Sequence, residues 1–218
     1  MPPLGEHLLV ELAAVLRDQV TTTDELIPSG ETSSYRSNPL KLAEFTLSRK
    51  DPAYVGRAKA IQAVEQKRRQ GNVDQEVTAA LAGHAAETTG LGSFVMALKP
   101  GDGSAREQAA SCQKVLGGLA NICYEFATKR YRSNCINWGM LPFTLDDGTP
   151  FPYESGDCVF VPHIRAAVAE GREDIPAKVI RTDGTVADLL LHVRGLTAEE
   201  KEILLDGCLM NYYAKRAD

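Results

Sequence analysis

The stretch that most constrains this chain runs from Ser93 to Ala110. An apolar run, Ser93-Phe94-Val95-Met96-Ala97-Leu98, stops at Pro100 and passes through Gly101-Asp102-Gly103-Ser104 into the alanine-rich Ala105-Arg106-Glu107-Gln108-Ala109-Ala110. That order predicts a strand, a tight loop and a helix, with Ser104 at the helix mouth. The first amides of a helix have no partners within it and the helix dipole is positive there, so the mouth stabilises an anion or a developing alkoxide. Arg106 adds a planar guanidinium able to hold a carboxylate by two hydrogen bonds. A second reading fits the same residues: Ser104-Ala105-Arg106-Glu107 has the spacing of a capping box, in which the serine and glutamate only satisfy orphan backbone amides.

Around this unit the chain alternates helix and strand signals. Residues 6–17 have the composition of a helix but are short and apolar enough to be a strand. Residues 27–39 are dense in Gly, Pro, Ser and Asn and form a loop carrying Arg36. Residues 52–70 predict an exposed helix, with Pro52 near its start and Gly71 past its end, and 73–86 a second one. After the Ser104 loop, Leu119 to Phe126 predicts a strand and Lys129 to Asn137 a helix. Phe151 to Pro162 and Ala177 to Val193 predict strands, the latter turned by Asp183-Gly184 into a hairpin. Thr197-Ala198-Glu199-Glu200 caps a last helix reaching about Lys215. Strands alternating with helices, plus a late hairpin, give a mixed α/β layout without internal repeats.

Composition narrows the function. The 218 residues are 44% hydrophobic and 24% charged, enough for one domain spanning 1–218 with a sizeable core. No apolar run approaches a membrane span and the N-terminus lacks the pattern of a signal peptide, so a cytoplasmic chain with no membrane partner is expected. The net charge is −5, and the basic clusters Lys67-Arg68-Arg69 and Lys129-Arg130-Tyr131-Arg132 sit among acidic neighbours, which argues against nucleic acid. The five cysteines, Cys112, Cys123, Cys135, Cys158 and Cys208, contain no Cys-x-x-Cys pair, so neither disulfides nor a zinc site is suggested. His7, His84, His163 and His192 fit no metal motif by spacing, and no metal ligand is assigned.

The loop Gly101 to Ala110, followed by Leu116-Gly117-Gly118 and Gly139-Met140-Leu141-Pro142, resembles the C-terminal domain of the aconitase family of iron–sulfur hydro-lyases. Thr22-Thr23-Asp24 followed by Tyr35-Arg36 resembles that family's Thr-Thr-Asp and Phe-Arg, and the stretch from Asp24 to Arg49 is most similar to bacterial aconitase-like hydratases. The resemblance implies an α/β swivelling domain of β/β/α type, a small β-core flanked by helices, with residues 6–17 as the strand delivering Asp24. It implies Ser104 as the base, Asp24 as an orienting or proton-assisting group, and Arg36 and Arg106 as clamps on a small carboxylic-acid substrate. It further implies a [4Fe-4S] cluster in the complete enzyme, liganded outside this chain, so that the chain alone is inactive. The cluster would sit on N-terminal domains of the same polypeptide, this chain being a severed C-terminal domain. Alternatively it would sit on a large subunit, this chain being a free-standing small subunit as in the isopropylmalate isomerases. Two positions depart from the family pattern: Ala105 stands where a second serine is usual, and Gln108 where a histidine is usual. A phosphate-binding loop is disfavoured by the missing Walker lysine. A non-catalytic relative would keep the fold as an interaction domain without the chemistry.

Overall fold

In the computed structural model, which describes residues 1–217, the sheet closes on itself. The strands are β1 (His7–Leu16), β2 (Thr21–Thr22), β3 (Thr89–Ala97), β4 (Pro100–Asp102), β5 (Gly118–Cys123), β6 (Leu141–Thr144), β7 (Cys158–Val161), β8 (Asp174–Ile180) and β9 (Val186–His192). The helices are α1 (Thr23–Leu26), α2 (Pro39–Ala43), α3 (Tyr54–Arg69), α4 (Gln75–Ala80), α5 (Arg106–Val115), α6 (Lys129–Asn137), α7 (Ile164–Glu170), α8 (Ala198–Asp206) and α9 (Leu209–Ala214). Barrel order is β1-β3-β5-β6-β9-β8-β7, with β7 returning to β1. Within the barrel β1, β3, β5 and β6 run parallel, and β7, β8 and β9 pair antiparallel with their neighbours.

Side-chain alternation explains the layers. Along β1, Leu8, Val10 and Leu12 join one core, while Leu9 and Ala13 on the other face join a second. Phe94, Ile122, Phe143, Val161, Val179 and Leu191 share the first core, the barrel interior, with Ile164, Ile203 and Leu204 from α7 and α8. The second core is built where Tyr54, Ala58 and Ile61 of α3 and Ala109, Ala110 and Cys112 of α5 cover the outer face of β1 and β3. Burial on both faces is why β1 reads as a continuous apolar run and could pass for a helix. The outer face of the β8–β9 hairpin is open to solvent, so β8 alternates strictly between exposed and buried positions. The small β-core flanked by helices is thus borne out, with the core closed as a barrel.

Most predicted elements are present, α6 with the predicted limits. Three depart most from expectation. The helix predicted over 73–86 ends at Ala80, because Ala82 and Gly83 turn at positive φ. The strand predicted over Phe151 to Pro162 begins only at Cys158, although Phe151 and Tyr153 are buried in the barrel core. The last helix breaks at Gly207, whose Cα faces the Pro2 carbonyl so closely that a Cβ would lie 2.1 Å from it. Its start is as predicted: Thr197 and Glu200 form a full capping box. Among the described residues no helix is long and apolar enough to cross a membrane.

Candidate active site

Two segments far apart in sequence meet at one short sheet. The β2 strand pairs in parallel with β4, Thr21 opposite Pro100 and Thr22 opposite Asp102, which sets Thr22-Thr23-Asp24 beside Gly101-Asp102-Gly103-Ser104. The α1 helix starts at once, its first turn closed by a capping box between Thr22 and Glu25. Glu25 is held below the usual carboxylate range: burial pushes it up, but hydrogen bonds from Lys50 and Thr22 outweigh that.

Both loop glycines are required by close approach. At Gly101, with φ of 98°, a Cβ would lie 2.3 Å from the buried ring of Tyr131. At Gly103, with φ of 131°, it would lie 2.3 Å from Thr23 Oγ1. The loop is therefore clasped between α1 and α6. On the α6 side, Thr128 Oγ1 donates to the Gly101 carbonyl at 3.2 Å and the Ala127 N–H to the Pro100 carbonyl at 2.9 Å.

Ser104 is exposed and α5 begins two residues later, with Ala105 as its cap residue and no side chain capping it. The capping box open in the sequence is not formed. Glu107, which would complete it, instead accepts from Trp138 Nε1 at 2.8 Å. Ser104 has no hydrogen-bond partner among the described residues and is left facing a cavity of about 250 Å³ lined by Ile27, Ser29, Thr32, Arg36, Leu42, Ser104, Ala105 and Gln108. Arg36 is exposed, and it too has no ion-pair partner among the described residues. The geometry therefore brings together Ser104, Arg36 and the N-terminal end of α5, a positive and largely unneutralised corner.

The other two expected residues stand apart. Arg106 is half-buried in the first turn of α5 and is not on the cavity wall. Asp24 is also off the wall: its Oδ1 accepts from the backbone N–H and hydroxyl of Ser29 at 3.1 and 3.2 Å, and its Oδ2 accepts from Arg49 Nη1 at 2.5 Å. Arg49 Nη2 reaches Glu31 Oε1 at 2.8 Å, so Asp24, Arg49 and Glu31 tie the loop bearing Arg36 to α1. Sequence reasoning left out Ser29, Thr32, Ile27 and Leu42. Their only signal was membership of a hydroxyl-rich loop or an apolar turn, which says nothing about facing Ser104.

The thiols do not fit an iron–sulfur centre on this chain. Cys112, Cys123, Cys135 and Cys208 are buried and Cys158 partly so. Burial pushes the thiols of Cys112, Cys135 and Cys158 up to about 12, far from the thiolate a cluster needs. Among the described residues no three cysteines converge on a common point.

Comparison with known proteins agrees with the architecture. Residues 55–148 match the aconitase C-terminal domain. Aconitate hydratase A of Bradyrhizobium diazoefficiens is 28% identical over 118 residues, covering 53% of this chain and 13% of that protein, so the chain spans a small part of the length of this relative. A solved 3-isopropylmalate dehydratase from Methanocaldococcus jannaschii superposes with a TM-score of 0.58 at 23% identity, covering 97% of this chain and 95% of its own. The first match takes in the serine loop and the Gly-Met-Leu-Pro turn, and the superposition extends the same fold to both ends of the described chain. The chain thus resembles the aconitase C-terminal domain over residues 55–148 and shares the fold of that dehydratase along nearly its whole length.

Proposed function

We propose that this chain is the substrate-binding and base-supplying part of a hydro-lyase acting on a hydroxy di- or tricarboxylic acid, with Ser104 as base and Arg36 as carboxylate clamp. The observation that carries it is the shared cavity, where a serine released from any capping role faces an arginine without a counter-ion. The two named relatives, an aconitate hydratase and an isopropylmalate dehydratase, are both hydro-lyases.

The chemistry needs a base for a weakly acidic C–H beside a carboxylate, and positive groups for the charge that develops there. Ser104 Oγ takes the proton. Arg36 holds the adjacent carboxylate, and Arg106 adds positive charge at the same helix end. Asp24 is a positioning residue, fixing the Arg36 loop through Ser29 and Arg49. A helix N-terminus supplies at most about 2 kcal/mol to an anion, worth roughly 1.5 pKa units, which is far too little to ionise a serine. The rest must come from the arginines and from closing the open cavity against a second protein surface. The isolated chain is therefore inactive. A [4Fe-4S] cluster held on that second surface would supply a Lewis acid for the departing hydroxyl.

We further infer the role of the small subunit of an isopropylmalate-isomerase-type enzyme. A solved 3-isopropylmalate dehydratase chain of the same fold, matched over 97% of this chain, supports this.

The test mixes the chain with an anaerobically reconstituted cluster-bearing partner and measures turnover on cis-aconitate, citrate, 2-isopropylmalate and related acids. Turnover confined to the mixture, greatest on the branched hydroxydiacid, is expected. An assembled, iron-loaded complex inert toward every acid would sink the assignment.

A further inference from the structure

Three histidines that sequence spacing kept apart meet in space, none of them on the wall of the serine cavity. His7 begins β1, His84 lies in the turn after α4, and His163 precedes α7. Their ring centroids are 4.4 Å (His7 to His84), 4.9 Å (His7 to His163) and 5.4 Å (His84 to His163) apart, and one ring nitrogen from each falls within 4.8 Å of the others. From these rings we propose a binding site for one divalent transition-metal ion, zinc-like in preference, held by His7, His84 and His163.

The donor chemistry selects the ion. Three imidazoles with no carboxylate among them suit zinc, cobalt, nickel or copper rather than magnesium or calcium, and three histidines with an open fourth position form a known kind of zinc centre. With metal–nitrogen bonds of about 2.0–2.1 Å, tetrahedral ligand atoms stand roughly 3.4 Å apart, so the rings need close by only about 1.4 Å at most. The setting permits that. His7 is buried, and Phe160 packs against His7 and His84 at 6.1 and 5.2 Å, giving a fixed floor. His84 is half-buried and His163 exposed, so both rings can shift and the open position faces solvent.

Two backbone details concentrate at the cluster. His163 and Ala82, which stands just before Gly83-His84, are two of the three non-glycine residues with positive φ among the described residues. Left-handed conformations at such residues cost about 1–3 kcal/mol and gather at sites where geometry serves a ligand. Of the ring nitrogens, only His7 Nδ1 has a hydrogen-bond partner among the described residues, the backbone N–H of His163 at 2.9 Å. The ion takes that lone pair in place of the amide hydrogen. That bond is only partly buried and His163 is exposed, which leaves room for water to take up the released N–H.

The site joins β1, the α4 turn and the start of α7, so occupancy also ties distant parts of the barrel together. The experiment uses the untagged full chain at pH 7.5, titrated with Zn²⁺ by calorimetry and with Co²⁺ by visible absorption. Expected are one ion per chain, a Co²⁺ spectrum of low-coordinate nitrogen type, and a large shift of the His163 amide resonance. His163→Asn, chosen because asparagine tolerates left-handed φ, and His84→Asn each weaken binding at least about tenfold while circular dichroism stays unchanged. No saturable binding, equal binding by both variants, or a thiolate charge-transfer band pointing to Cys158 would each overturn the proposal.

Discussion

Replacing Gly103 by alanine tests whether the serine loop is seated on α1 as described. The new Cβ would lie 2.3 Å from Thr23 Oγ1, about 1 Å inside an ordinary contact. Thr23 is buried and β-branched, so it cannot simply rotate away. Overpacking of this kind costs about 1–3 kcal/mol. Alanine at φ of 131° adds about 1–3 kcal/mol of backbone strain. The smaller entropy of the unfolded alanine variant returns about 0.4–1 kcal/mol. The net loss is about 2–5 kcal/mol, a large part of a typical folding free energy. Thr23→Ala removes the offending oxygen and leaves Thr23 Cβ, at 3.4 Å, as the next contact, so the double variant should recover the packing part while keeping the strain. Urea unfolding of the two single variants and the double then gives a coupling of about 1–3 kcal/mol. Gly30→Ala, with nothing within 4 Å of its Cβ, is the control and should change little. Additive single effects, or a Gly103→Ala loss below about 1 kcal/mol, would show that the loop does not rest on Thr23.

Ser104→Ala should leave stability within about 0.5 kcal/mol, because the hydroxyl caps nothing, whereas Thr197→Ala, at a formed capping box, should cost about 1 kcal/mol. Comparable losses in thermal or urea unfolding would return Ser104 to the role of a cap. Tyr131→Phe should cost about 1–3 kcal/mol in the same assay, since the Tyr131 hydroxyl accepts from Gln113 Nε2 at 3.0 Å in a buried setting. Burial lowers the Lys114 ammonium to about 8 from an unfolded value of 10.5, with Arg69 adding to the effect against an opposing contribution from Cys208. Below pH 8 the lysine is charged in both states and the folded protein carries the whole desolvation cost. Between pH 8 and 10.5 the unfolded chain binds more protons, so stability rises with pH from this group. Lys114→Met should therefore exceed the native chain in stability at pH 7, by a margin that shrinks toward pH 10.5. A margin independent of pH would contradict the assignment.

The sequence made legible those features whose physics is local. Thr197 with Glu200, Asp183-Gly184 and the strand-to-helix passage through Gly101 and Gly103 each carry their own signal within a few residues, and each is present. Ser104 shows where local reasoning stops: its spacing to Glu107 permits a capping box, but Trp138, remote in sequence, takes Glu107 instead. The barrel closure was not legible either, since it rests on β7 pairing with β1 and on a single β6–β9 register, Thr144 opposite His192. The helix mouth pointed to Ser104 and the resemblance gave Arg36 its role, and the fold places both on one cavity while leaving Asp24 and Arg106 off its wall. The histidine cluster was invisible because its members stand 77 and 79 residues apart in sequence, at 7, 84 and 163.

The most direct test of the account is the kinetic separation of Ser104 from Arg36 in the assembled, iron-loaded enzyme. If Ser104 is the base, Ser104→Ala lowers kcat by at least about 100-fold with KM little changed, since the hydroxyl acts only in the transition state. If Arg36 is the clamp, Arg36→Lys keeps the charge but loses the bidentate grip, and KM rises about tenfold or more. A Ser104→Ala enzyme that retains kcat would contradict the central claim.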